Sequence, residues 1–199
     1  RDAFRPEHTR LFAVDAAGET LWEEPLGDLA SALRLVEAAG ERRIVAALGL
    51  AHPAIPGRLA AIDPAPSAPA RTLWRLDLPY FVSSLEAAAG AVYVGSIDGH
   101  LRIVDGRSGR LERDDYLGSY QMPALDAAGD LIFVGDEMGN LAAHRHDGSL
   151  AWSAWTAVDG GGLVSGLRTF EDEAALHLVS VSISAQGDPT ALQRFDEAG

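Results

Sequence analysis

The sequence predicts an all-β fold, a chain of repeated four-stranded antiparallel sheets, and three observations carry that expectation. One pattern recurs about every 40 to 50 residues, the spacing of stacked units that cannot bury their faces alone. Within each unit the apolar residues alternate or form short β-branched runs, as in Val92-Tyr93-Val94 and Ile132-Phe133-Val134, which is the period of a strand and not of a helix. Glycine falls at matching turns, where a tight hairpin needs a positive φ.

The repeat is clearest in the segments Leu11 to Asp15, Leu59 to Asp63, Leu101 to Asp105 and Leu192 to Asp196, with Leu141 to Arg145 as a degenerate fifth copy. One hairpin closes at Ala38-Ala39-Gly40, Ala88-Ala89-Gly90 and Ala127-Ala128-Gly129. The next closes at Asp98-Gly99 and Gly139-Asn140, and a third is marked by Gly18, Gly109 and Gly148. Each unit therefore has four strands and three hairpins. Its first strand carries two small residues and then Leu, in Ser31-Ala32-Leu33, Ser83-Ser84-Leu85, Pro123-Ala124-Leu125 and Ser165-Gly166-Leu167. Small residues let strands of neighbouring units approach closely, which is the demand at the axis of a β-propeller.

Counting strands divides the chain into a half blade at 1–27, blades at 28–78, 79–117 and 118–157, and an incomplete blade at 158–199. Joining the two ends would give too many third strands, so the expectation is an open arc of about four blades' worth of sheet, cut from a larger propeller of roughly seven or eight blades. The sequence opens on Arg1 without a basic-then-apolar leader and residues 196–199 read as a turn, so it is expected to be an excerpt, with the rest of its propeller among its partners.

Composition narrows the function classes. A formal net charge of −13 over 199 residues argues against nucleic-acid binding, which needs Lys and Arg to displace counterions. With 47% hydrophobic and 23% charged residues the chain is a folded domain, not an acidic tail. The absence of cysteine removes disulfides, thiolate catalysis and Cys-ligated metals. Apolar runs such as 44–51 fall far short of the roughly 18 residues that cross a bilayer, so no direct membrane insertion is expected.

The stretch Gly90 to Asp105, with its Gly95-Ser96-Ile97-Asp98-Gly99 turn and followed by Gly109, resembles the pyrroloquinoline-quinone-like propeller repeat. Gly129 to Asp136, Gly139 to Ala143, Gly148 and Trp152 look like a second copy. Trp22 and Trp74 end two more, the latter after a Pro-rich insertion at Pro64 to Pro69. Glu112 is expected where one Trp of the pattern falls, and Arg145 where one Asp falls. The resemblance spans nearly the whole chain and implies the fold specifically. It implies function only broadly, because this repeat serves quinone-dependent dehydrogenases, cell-envelope assembly scaffolds and sensor domains. The implied setting is the bacterial cell envelope, periplasmic or extracellular.

Few residues support chemistry. Family dehydrogenases are expected to carry a vicinal cysteine pair and a calcium site, and this chain has no cysteine. Its Trp residues fit packing between blades better than cofactor contact. His144 and His146 have the spacing of two ligands on one strand face, but His144 falls where Val14, Ile62 and Val104 fall, a packing position. The Asp-Gly pairs at Asp98 and Asp147 lack the alternating carboxylates of calcium loops, and Glu112, Asp114 and Asp115 read as a solvated edge. No catalytic residue, metal site or cofactor is assigned.

Two polar or aromatic sets survive alignment. The residue after the shared Leu is Arg34, Glu86, Asp126 and Arg168, either a mixed-sign ring at one mouth of the central channel or solvated strand ends. On the opposite mouth the loops leading to the inner strands carry Tyr80, Tyr116, Tyr120 and Trp155, either partner anchors or residues packed beneath the loops. The expectation is a non-enzymatic module that binds a protein partner. The alternatives are a fragment of a quinone-dependent dehydrogenase whose catalytic blades lie elsewhere, and the sensor domain of a membrane receptor or kinase.

Overall fold

A computed structural model describes residues 9–49, 55–64, 70–118, 121–156, 162–171, 175–184 and 191–195. Every regular element among them is a strand, and no helix is long and apolar enough to cross a membrane. The hairpin β1 (Arg10–Val14) and β2 (Thr20–Pro25) is followed by three four-stranded antiparallel sheets. These are β3 (Ala30–Ala38) to β4 (Glu41–Leu48), β5 (Gly57–Asp63) and β6 (Arg71–Leu78); β7 (Val82–Ala88), β8 (Ala91–Ser96), β9 (His100–Asp105) and β10 (Leu111–Tyr116); and β11 (Ala124–Ala128), β12 (Leu131–Gly135), β13 (Asn140–Arg145) and β14 (Leu150–Trp155). A three-stranded sheet of β15 (Gly162–Glu171), β16 (Leu176–Ser184) and β17 (Ala191–Phe195) completes the series.

Each sheet is a simple meander, and the inner strands β3, β7, β11 and β15 stand side by side. Among the described residues β17 pairs with β16 and β1 with β2, and no ladder joins the two hairpins. The fold is an open propeller arc. We number the three complete sheets as the first, second and third blades and β15–β17 as the fourth.

Turn chemistry explains why the strands end where they do. Gly18, Gly109 and Gly148 all have φ between 73° and 85°, the left-handed region that Gly enters without a Cβ penalty. Ala39 and Ala89 also stand at positive φ, 53° and 50°, each followed by a positive-φ Gly as a two-residue hairpin turn requires.

The cores lie between blades. Val45, Ala47, Leu59 and Ala61 of the first blade pack on Leu85, Val92, Val94 and Val104 of the second. Met122 and Leu125 of the third pack on Tyr93, Leu101 and Ile103 of the second, and Val164, Leu167 and Leu178 close over Phe133 and Leu141. Two kinds of glycine permit the approach. Near the axis, a Cβ on Gly95 would meet Ser84 Oγ and stand 2.9 Å from Met122 O, and one on Gly135 would stand 2.7 Å from Val164 Cβ. At the outer edge, a Cβ on Gly109 would stand 2.6 Å from the Trp74 ring of the preceding blade, whose Nε1 donates to Gly106 O at 3.2 Å.

The outer edge also corrects one expectation. Trp22, Trp74 and Trp152 pair across the ladder with Ala13, Ala61 and Ala143, each just past a bulge. In the second blade the same bulge between Leu111 and Arg113 sets Arg113, not Glu112, opposite Ile103. Arg113 stands where the Trp stands elsewhere, four residues after its turn glycine as Trp22 and Trp152 are after Gly18 and Gly148. Its guanidinium lies over Gly148 of the next blade, where an added Cβ would be 2.6 Å from Cζ, and it pairs with Asp115 at 3.0 Å.

Replacing Gly95 by Ala should cost about 1 to 3 kcal/mol of unfolding free energy in urea, because the new Cβ would overlap Ser84 Oγ and also crowd the backbone at Met122 O. Gly166→Ala, whose nearest atom would be Val181 Cβ at 3.9 Å, should stay within about 0.5 kcal/mol.

Candidate functional site

The structure brings the four inner-strand charges together at one mouth of the axial cavity. Glu86, nearly buried, accepts from Arg34 Nε at 3.1 Å and from Arg168 Nη1 at 3.4 Å. Arg168 also stands 3.5 Å from Asp126. Asp126 in turn accepts from the Thr169 amide and from Thr169 Oγ1 at 3.0 Å. Glu86 thus ties three blades and Asp126 joins the third to the fourth. Arg34 lies on β3 and Arg168 on β15, so the arc curves enough for its first and last inner strands to share one carboxylate.

Behind this mouth lies a cavity of about 500 Å³ lined by the small residues and Leu of the inner strands. Its serine hydroxyls are already committed to backbone: Ser83 and Ser84 donate to Met122 O, Ser31 to Ala47 O and Ser165 to Val181 O. No aromatic ring lines it to stack on a quinone, and no group of three metal-ligating side chains occurs among the described residues. This lining does not fit pyrroloquinoline quinone.

The opposite rim carries the aromatic set, with one correction of position. Tyr80 lies in the connection between β6 and β7, but Tyr116 and Trp155 are the last residues of the outer strands β10 and β14, not loop residues. They are equivalent: Tyr116 pairs with His100, and Trp155 with Asn140. Strand ends hold them because the next amides, Leu117 and Thr156, donate to Gly99 O and Gly139 O in the adjoining turns. Exposure is 65% for Tyr116, 53% for Trp155 and 42% for Tyr80, so none of the three is packed beneath a loop. Tyr120 lies outside the described residues. Tyr116 rests edge-tilted on His100, ring centroids 5.3 Å apart.

Beneath Tyr116 runs a chain of charge. His100 Nδ1 and Asp114 Oδ1 are 2.6 Å apart, Asp114 pairs with Arg102 Nε at 3.1 Å, and Arg102 donates to both oxygens of Asp98 at 3.2 and 2.7 Å. Burial pushes the Asp98 carboxyl up, but the Arg102 hydrogen bonds and charge outweigh it and hold the group below the ordinary carboxylate value. A rim residue missed in the sequence is Met138, exposed in the turn between β12 and β13. An apolar side chain at the tip of a turn was the available signal.

His144 and His146 do not converge. Tyr93, whose hydroxyl is raised by burial and then by the Glu112 charge to about 12, stays protonated and donates to His146 Nδ1 at 2.6 Å. The Nε2–H then faces Gly129 O at 3.4 Å. His144 is buried, and that burial lowers its pKa.

A family model described as outer membrane protein assembly factor BamB matches residues 7–172. No curated protein matches the chain. Among solved structures, Saccharomyces cerevisiae Sqt1 is similar at TM-score 0.73 and 13% identity, over 98% of this chain and 54% of that one. BBS1N in complex with ARL6DN gives 0.63 and 14%, over 87% and 53%. The computationally designed Ika4 protein gives 0.60 and 16%, over 90% and 98%. These identities carry the fold alone, and the chain spans about half the length of Sqt1 and BBS1N.

The mouth network makes an ordered prediction. Glu86→Ala removes a nearly buried acceptor shared by two arginines and should cost about 1 to 2 kcal/mol in urea unfolding. Arg168→Ala, largely exposed, should cost no more than about 0.5 kcal/mol. The opposite ranking would contradict the assignment of Glu86 as the shared tie.

Proposed function

Because the chain belongs to the family of the outer membrane protein assembly factor BamB, we propose that it is a non-enzymatic scaffold that binds a protein partner at the bacterial cell envelope, on its periplasmic or extracellular side. The observation that carries the proposal is the rim. Two equivalent strand ends in separate blades each expose an aromatic, Tyr116 and Trp155, and the connection before β7 exposes a third, Tyr80. Large rigid side chains with a polar handle are the usual energetic centres of protein interfaces, and three of them stand exposed on this one rim.

The interior supports the same view. A binding scaffold needs a stiff frame, and here the Ser83 and Ser84 hydroxyls and the Glu86, Arg34 and Arg168 charges tie blade to blade. Serine hydroxyls that already donate to carbonyls, a lining without rings and the lack of cysteine leave little for quinone-dependent oxidation.

The test compares the chain with a Tyr80→Ala, Tyr116→Ala, Trp155→Ala variant in affinity capture from a cell-envelope fraction, quantified by mass spectrometry. Proteins captured by the parent should fall at least tenfold with the variant, the size of a lost hot spot of about 1.4 kcal/mol or more, while the melting midpoint moves by less than about 3 °C. Unchanged capture, or saturable calcium-dependent binding of pyrroloquinoline quinone by the parent, would overturn the proposal.

A further inference from the structure

The second and third blades are built to one register, and one difference between them leaves a cleft. Arg102 pairs across the ladder with Asp114, and Ala142 with Ser153. His100 pairs with Tyr116, and Asn140 with Trp155. Cross-strand partners share a face of the sheet. In the second blade that face is filled by Arg102, 2% exposed, its guanidinium gripped by Asp98 and Asp114 beneath the Tyr116 and His100 rings. In the third blade the arginine is replaced by Ala142, and a cavity of about 340 Å³ opens in its place, capped by Leu117 and Met122 from the connection out of the second blade.

The walls of that cavity are apolar at Val134, Ala142 and Leu150, and the polar groups among them, at Asp136, Asn140, Ser153 and His144, can each accept a hydrogen bond. Asp136, buried, lines it with a carboxylate that takes the Met138 and Asn140 amides and Asn140 Nδ2. Since the Asn140 amide donates to Asp136, its own oxygen is turned elsewhere. Ser153 and His144 also line it, and His144, 8% exposed, has an Nδ1 with no hydrogen-bond partner. Burial holds His144 below its ordinary value, against a backbone hydrogen bond at Gly148, which favours the uncharged ring. No cationic side chain lines the cavity among the described residues. On the same face, across from Asn140, stands the exposed Trp155, whose ring favours a cation over its surface.

We propose that the cleft on the third blade receives the guanidinium of an arginine side chain presented by a protein partner, in the place that Arg102 fills from within in the second blade. It deepens the binding reading above by naming the chemistry of one contact. The partner's arginine meets the Asp136 carboxylate and the Asn140, Ser153 and His144 acceptors, with Trp155 over its stem. Arginine suits the site better than lysine because a planar group with five N–H donors matches several fixed acceptors at once.

The probe is N-acetyl-arginine methylamide, with the isosteric neutral citrulline derivative as control, titrated into the isotopically labelled chain and followed at the Trp155 indole and His144 ring signals. The arginine probe should shift both signals saturably and the citrulline probe should bind at least tenfold more weakly. Ala142→Arg, which refills the cleft as Arg102 does, should abolish the shifts. Ser153→Asp, which supplies the carboxylate that Asp114 supplies in the second blade, should tighten binding roughly fivefold. Equal binding of the two probes, undiminished binding by Ala142→Arg, or shifts confined to the Glu86 and Asp126 mouth would overturn the proposal. If Ala142→Arg does not fold, the Ser153→Asp change decides, and no tightening there counts against it. Failure here with rim-dependent capture intact rejects the arginine cleft alone, whereas loss of both rejects the binding reading with it.

Discussion

Successive sheets of this chain can share a core only if they approach to within a side chain's thickness at both the axis and the outer edge. Near the axis Gly95 and Gly135 lie against the incoming chain of the next blade, at Met122 and Val164. At the periphery Gly109 and Gly148 lie under Trp74 and Arg113 of the preceding one. Where a Cβ at these places would overlap neighbouring atoms, the blade would have to rotate or separate, and the buried clusters between blades would open. Close packing across the joints therefore sets the curvature, and curvature is what lets Arg34 and Arg168, from the first and last inner strands, reach the same Glu86 carboxylate.

The same rigidity organises the outer rim. Since each blade repeats one register, the residue ending an outer strand is delivered to the same height in every unit, and Tyr116 and Trp155 arrive there on independent sheets. What distinguishes the blades lies in a few substitutions on that common frame. Arg102 fills one interblade face with a buried, doubly paired cation, and Ala142 leaves the equivalent face hollow. Arg113 replaces an indole at one joint, and the Tyr93 to His146 hydrogen bond reinforces that joint from the inner side.

Much of this was legible in the sequence because the turns are chemically explicit. Glycines at positive φ and small-small-Leu inner strands repeat visibly, so strand number, open ends and the inner-strand charges could be named before coordinates. Whether those charges meet could not, since contact between Arg34 and Arg168 depends on blade curvature and not on spacing along the chain. The assignment of Glu112 failed for a local reason: the bulge recurs in every unit, but the turn from Asp105 to Gly109 is one residue longer than those at Gly18 and Gly148, and only counting from Gly109 recovers Arg113. Tyr116 and Trp155 were placed in loops because propensity marks strand ends poorly. The cleft at Ala142 was invisible because it is an absence relative to Arg102, and it shows only once the ladders put the two positions in register.

Close packing is most exposed to test at the joint between the second and third blades, where Arg113 acts as the wedge that Trp74 is one joint earlier. The direct measurement is urea unfolding of Arg113→Trp and Glu112→Trp. If Arg113 occupies the wedge, Arg113→Trp keeps the stability within about 1 kcal/mol of the parent or raises it, because Gly148 offers the same open seat that Gly109 offers Trp74. Glu112→Trp then gives no gain. Stabilisation by Glu112→Trp, together with a loss above about 2 kcal/mol for Arg113→Trp, would contradict the register and the packing rule built on it.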